Sequence, residues 1–117
     1  MTADVRIRRI YEEPSPDDGT RVLVDRLWPR GVSKEAARLD DWPKALTPSD
    51  DLRRWYHGEE GPYEEFRERY AAELTAPDAA AALAKLRERV TAGRVTLLTA
   101  SMDTEHSHAA VLRDELT

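Results

Sequence analysis

The stretch Arg21-Val22-Leu23-Val24-Asp25-Arg26-Leu27-Trp28-Pro29-Arg30-Gly31 changes character halfway along. Its first half holds an unbroken apolar row, Val22 to Val24, which fits a strand buried on both faces of a parallel sheet. Its second half packs Asp25, Arg26, Trp28, Pro29, Arg30 and Gly31 into seven residues. Open α/β folds place their ligand crevice where strands end in this way. The stretch therefore predicts an α/β protein and locates a site without naming its chemistry.

Upstream, Val5 and Ile7 alternate with Arg6 and Arg8, which predicts a strand with one wetter face near a sheet edge. The segment from Glu12 to Thr20 holds Pro14, Ser15, Pro16, Asp17, Asp18 and Gly19 and reads as a loop. It is short for a helical crossover, so spacing alone leaves the first two strands free to be antiparallel. Downstream, Ser33 can cap a short helix running to Leu39. Thr47-Pro48-Ser49-Asp50 predicts a stronger start, with Thr47 as cap, Pro48 in the first turn and Asp50 as the capping-box acid. That helix carries Leu52, Trp55 and Tyr56 and ends at His57-Gly58. Tyr63, Phe66, Tyr70 and Leu74 form one face of the next helix. Leu83, Leu86 and Val90 line an Ala-rich helix over 78–92 that Gly93 closes. Val95 to Ala100 is a further buried strand. Asp103 or Thr104 then caps a last helix with Ala109, Leu112 and Leu116 inward. The expected fold is a small, mostly parallel sheet of about three strands flanked by about five helices, three-layered and Rossmann-like. The long return to the third strand is expected to be right-handed.

The 117 residues fit one domain, 1–117, that buries roughly two-thirds of its extended surface. The chain is 40% hydrophobic and 35% charged, which predicts a small core under a heavily solvated shell. A net charge of −5 opposes duplex nucleic acid as a partner. The absence of cysteine excludes disulfides, thiolate zinc sites and Cys nucleophiles, and fits a reducing compartment. The first residues lack an apolar signal core, and no apolar stretch approaches the ~20 residues of a membrane span. A cytoplasmic protein without membrane contact is expected.

Three groups of residues carry candidate chemistry. The first is Asp25, Arg26, Trp28, Arg30 and Gly31. Strand alternation would set Asp25 and Leu27 opposite Arg26 and Trp28. Arg forks bind phosphate or carboxylate bidentately, and Gly31 could let backbone amides approach an anion. The plain alternative is a structural Asp–Arg pair beside a core Trp. The second is Ser101, Met102, Asp103, Thr104, His106 and His108, at the start of a helix whose N-terminus attracts anions. His108 could act as general base or proton donor; alternatively Asp103 only caps and both histidines are packed or solvated. His106 and His108 lie about 200° apart on one helix and cannot easily share a metal. The third is Arg53, Trp55 and His57, with Arg53 and His57 on one helical face, able to close on an anion or simply solvated beside a core Trp. Tyr63, Phe66 and Tyr70 read as core. No Gly-rich phosphate loop, His-Glu-x-x-His or Gly-x-Ser-x-Gly motif is present. Metal or haem at His57 or His108 has no spacing signature, and the sequence names no cofactor.

Val24 to Gly31 resembles the signature of the YeaO-like family, domain of unknown function 488. So do Thr47-Pro48-Ser49 with Leu52-Arg53 and Trp55, then Phe66, Tyr70, Glu73-Leu74, Thr96-Leu97-Leu98, and His108-Ala109 with Val111-Leu112. The resemblance covers essentially the whole chain. It implies a small bacterial α/β domain without an established activity, and a parallel first pair of strands. Before the Asp and the His the family usually carries an aromatic residue, small residues, a Lys and an Asn. Here Thr99, Ser101, Met102 and Ser107 stand in that region, and the missing Lys weakens any role in which it binds phosphate or orients Asp103.

The functional expectation is a pocket between the loops after strands two and three. Arg26, Arg30 and Arg53 would bind a small anionic or nucleotide-like molecule, Trp28 or Trp55 would stack on it, and Asp25 and His108 would be the acid/base pair of a hydrolysis or group transfer. A non-catalytic sensor or interaction module using the same pocket is the rival. Nucleic-acid binding ranks last, since residues 20–38 carry only a modest local excess of positive charge on an acidic chain. No apolar stripe announces an oligomer surface.

Overall fold

The structure, a computed structural model, describes residues 4–57 and 62–117, with the backbone alone at His57. Three strands, β1 (Val5–Arg9), β2 (Thr20–Leu23) and β3 (Val95–Thr99), form a parallel sheet in the order β1-β3-β2. Five helices surround it: α1 (Lys34–Ala37), α2 (Asp50–His57), α3 (Tyr63–Glu73), α4 (Pro77–Ala92) and α5 (His108–Leu116). Short 3-10 turns lie at Pro16–Asp18, Lys44–Leu46 and Thr104–His106.

The central strand is β3, buried at all five residues, whereas every residue of β1 is half-buried. This corrects one expectation. The first two strands run parallel, as the resemblance implies, but they are not neighbours, because β3 lies between them: Val5 and Thr20 both stand opposite Val95. A ten-residue loop suffices for the β1–β2 connection because it carries the chain past a single intervening strand. The free edge of β2 is covered by its own downstream chain. The amides of Asp40 and Asp41 donate to Arg21 O, and Leu23 N donates to Asp41 O, which blunts the edge.

The two sheet faces differ in weight. Val22, Val24, Val95 and Leu97 point into the larger core, where Phe66, Tyr70, Leu83, Leu86, Ala109 and Leu112 cover them. Leu23 and Leu98 point the other way, onto Ile10 and Ala37 with Trp28 and Trp42 beside them. The α/β class is as expected, but the third layer is thin: one single-turn helix and two tryptophans.

Two helix starts differ from expectation. Thr47 does not cap α2, because its hydroxyl donates to Lys44 O at 2.7 Å. Ser49 caps instead, accepting from Leu52 N and donating to Glu73 of α3 at 2.6 Å. This frees Asp50 to pair with Arg26 and Arg53. At the other end Asp103 caps only the 3-10 turn, and α5 starts separately after Ser107.

Candidate functional site

The C-terminal ends of β2 and β3 open into a cavity of about 330 Å³. At its floor is Asp25, two residues past β2. The Asp25 Oδ1 accepts from Thr99 Oγ1 at 2.7 Å, and Oδ2 accepts from the Ala100 amide at 2.7 Å. His108, the first residue of α5, brings Nε2 to 2.9 Å from Oδ1. The geometry does not meet that of a hydrogen bond, so this is a close polar contact rather than a well-aligned hydrogen bond. Burial pushes the Asp25 carboxyl pKa up. The contact with His108, the Ala100 amide and the Thr99 hydroxyl together outweigh burial, and the carboxyl stands below its ordinary value of 3.8. The Asp25 backbone is fixed as well, its carbonyl accepting from Trp42 Nε1 at 2.7 Å.

Above this floor stand the arginines. Arg26 Nε and Arg53 Nη1 lie 3.1 and 3.3 Å from the same Asp50 Oδ1. Arg30 lines the same cavity, is exposed, and has no ion pair among the described residues. Trp28 forms part of the wall, with its indole N–H donating to Val32 O and its ring edge-on to Trp42 at 5.3 Å. Tyr56 lines the opposite, α2 side and stacks on Phe66 at 4.5 Å. The first turn of α5 also opens here. The Ser107 hydroxyl donates to Thr104 O instead of capping that helix, and Ser107 and His108 both line the cavity.

The fold thus brings together Asp25, Arg26, Trp28, Arg30, Arg53 and His108. It leaves other candidates apart. Gly31 does not line the cavity; its φ of +81° serves the turn in which Val32 N donates to Pro29 O. Trp55 packs against the larger core and under the Arg69 guanidinium, 4.3 Å from the ring centre. Asp103 is exposed outside the lining. It accepts from His106 N and lies 2.8 Å from His106 Nδ1, and the His106 contact holds its carboxyl below the usual range. The His57 side chain and Gly58 lie outside the described residues. Alternation does not explain the grouping, because β2 ends at Leu23 and the chain bends at Arg26 and Leu27. His106 and His108 also fall on two separate elements.

Sequence reasoning missed Tyr11 and Tyr56 as cavity residues. A signal existed for both. Tyr11 stands two residues past β1, as Asp25 stands two past β2 and Ser101 two past β3; all three line the cavity. Tyr56 lies three residues from Arg53 on the same helical face. No cluster of three or more potential metal ligands occurs among the described residues, and no helix there is long and apolar enough to cross a membrane.

Comparison with known proteins places these features in a family. The chain is similar to an uncharacterized protein of Mycobacterium tuberculosis, with 47% identity over 108 residues covering 92% of this chain and 89% of the relative. It is also similar to the uncharacterized protein YeaO of Escherichia coli, with 41% identity over 113 residues covering 97% and 96%. No solved structure matches it. The family profile described as "Inactive DUF488-N3 subclade" matches residues 4–117. On the match across its length and the likeness to YeaO, the chain belongs to the YeaO-like family of domain of unknown function 488.

Proposed function

We propose that this chain is a binding domain for a small anionic molecule, held in the cavity at the ends of β2 and β3 without being chemically turned over. The observation that carries the reading is the convergence of Arg26, Arg30 and Arg53 on that cavity, where Arg26 and Arg53 share one carboxylate, Asp50, and Arg30 has no ion pair among the described residues. Guanidinium forks suit planar anions, and a partly enclosed site strengthens the attraction. In this reading Asp25 and His108 shape the floor.

A catalytic reading has one observation in its favour, the close contact of a carboxylate and an imidazole inside a cavity. Against it, both Asp25 oxygens already accept hydrogen bonds and the carboxyl is held below its ordinary value, which makes Asp25 a weaker base. The description of the matched subclade as inactive supports the same choice.

The test is a thermal-shift screen with inorganic anions, dicarboxylates, sugar phosphates and nucleotides. A ligand bound only by the folded state at 100 times its Kd adds about 2.7 kcal/mol and raises the melting temperature. The expected result is stabilisation by at least one anion, lost in Arg30→Ala. A panel without effect, or an effect that survives Arg30→Ala unchanged, overturns the proposal.

A further inference from the structure

We infer that the anion is a phosphomonoester carried on a planar heterocycle, with nucleoside 5′-monophosphates as the class. This rests on the proposed reading of the cavity and narrows it. Charge sets the phosphate number. Arg26 and Arg53 share the one carboxylate of Asp50 and Arg30 has no ion pair among the described residues, so these three guanidiniums exceed that carboxylate by two positive charges. The Asp25 carboxylate is set apart at the floor, where it accepts from Thr99 and the Ala100 amide, and Asp103 lies outside the lining. A phosphomonoester carries about −1.5 to −2 at pH 7 and matches that excess. A triphosphate brings about twice as much charge to a lining with no further arginine.

Size and apolar surface set the rest of the molecule. A volume of about 330 Å³ is at the small end of ligand cavities. It suits a monophosphate and leaves little room for a longer phosphate chain. The same cavity is bordered by Tyr11, Leu27, Trp28 and Tyr56. Two of these stand unusually far into water for large apolar side chains, Leu27 at 64% and Tyr11 at 48% exposure. Such surface beside an arginine cluster gains from being covered by a flat ring. A bare phosphate or a sugar phosphate fills the arginine end and leaves the aromatic end wet.

The experiment titrates the full chain, by calorimetry at pH 7.5, with inorganic phosphate, ribose 5-phosphate, the common nucleoside 5′-monophosphates, their nucleosides, their triphosphates and a dicarboxylate. At least one monophosphate is expected to bind ten-fold or more tightly than ribose 5-phosphate and than its own nucleoside, and no more weakly than its triphosphate. Arg30→Ala should weaken that monophosphate ten-fold or more. Tyr11→Ala should weaken it while leaving ribose 5-phosphate unchanged. Both residues are exposed, and unchanged melting curves will show that the fold is intact. Monophosphates no tighter than ribose 5-phosphate, a preferred triphosphate, or a preferred dicarboxylate each overturn the inference while leaving an anion pocket in place. Silence from every anion, or affinities untouched by Arg30→Ala, overturns the pocket itself.

Discussion

The carboxylate of Asp25 and the imidazole of His108 meet at 2.9 Å and so tie the end of β2 to the first turn of α5. The charged form of Asp25 is favoured in the fold, since its pKa is lowered from 3.8 despite burial. A carboxyl lowered on folding contributes stability above its unfolded value, and loses it as pH falls through the folded value. The contribution is therefore complete at neutral pH and is lost progressively as pH falls below about 4 and through the folded value. His108→Ala removes one of the contacts that oppose burial, so the Asp25 pKa should rise and the acid limb of the stability profile should move to higher pH. Denaturant midpoints between pH 3 and 7 for the wild type and this variant check it; superimposable acid limbs refute the coupling.

Asp25→Asn tests the same floor differently. One amide presents a single carbonyl where two oxygens now accept from Thr99 and Ala100. At least one donor loses its partner, at a cost of about 1–3 kcal/mol. If a ligand is found, this variant also separates the two readings of the site. A binding domain keeps ligand affinity within a few fold and shows no turnover in either form. Turnover present in the wild type and lost in the variant would restore a catalytic role for Asp25.

Asp18 anchors the opposite end of the sheet, where sequence patterning showed only a polar loop. Its carboxylate is buried among Arg8 at 2.8 Å, Arg6 at 3.3 Å and Arg21 at 2.5 Å. Burial raises its pKa, but the Ser15 amide with Arg8 and Arg21 outweighs this and holds it below the usual range. Arg21 is itself only 6% exposed, its guanidinium also donating to Ala37 O. Asp18→Ala strands that cation in the interior, and breaking a buried pair from one side costs about 3–5 kcal/mol. Equilibrium urea unfolding measures the loss, and a change below 1 kcal/mol contradicts the assignment.

These residues show what periodicity can and cannot read. Val22 to Val24, the Phe66/Tyr70/Leu74 face and the Leu83/Leu86/Val90 face were legible because each depends on local spacing against one apolar surface. The placing of β3 between β1 and β2 was not, because strand order is set by contacts some 75–90 positions apart in the chain. The grouping of Asp25, Arg30 and His108 was foreseeable from the rule that sites form at strand ends. The support beneath it was not: Trp42, whose N–H fixes the Asp25 carbonyl, lies in no motif. Asp18 reads as a loop acid until Arg6, Arg8 and Arg21 are known to converge on it.

Gly19 follows the turn that carries Asp18 and has φ +66° and ψ −133°, a combination open essentially to glycine alone. A Cβ at this position would fall 2.2 Å from the Arg94 carbonyl oxygen, which accepts from Thr20 N and helps set β2 beside β3. Gly19→Ala combines backbone strain of about 1–3 kcal/mol with displacement of that contact. Thermal unfolding should show a markedly lower midpoint, whereas Gly93→Ala, with nothing within 4 Å of its added carbon and an extended backbone, should be mild. Equal effects at the two positions would refute the close approach at Gly19.

Tyr70 supplies the alkaline counterpart of Asp25. Its ring is fully buried on α3, its hydroxyl donates to Leu46 O, and it lies edge-on to His108 at 6.2 Å. Burial, with the nearby carboxylates of Glu73 and Asp25, pushes its pKa well above 10. A group whose pKa is raised on folding contributes stability below its unfolded value and loses it as pH rises through the folded one. Part of the fold's stability should therefore be lost only above about pH 10. Burial also raises Tyr56 and Tyr63, but less, so ultraviolet titration should show Tyr70 ionising last, together with unfolding. Tyr70→Phe leaves the Leu46 carbonyl without its donor and costs about 1–3 kcal/mol at neutral pH. The same variant removes the late-titrating group and flattens the alkaline limb. A variant that keeps the late transition shows that another tyrosine carries it.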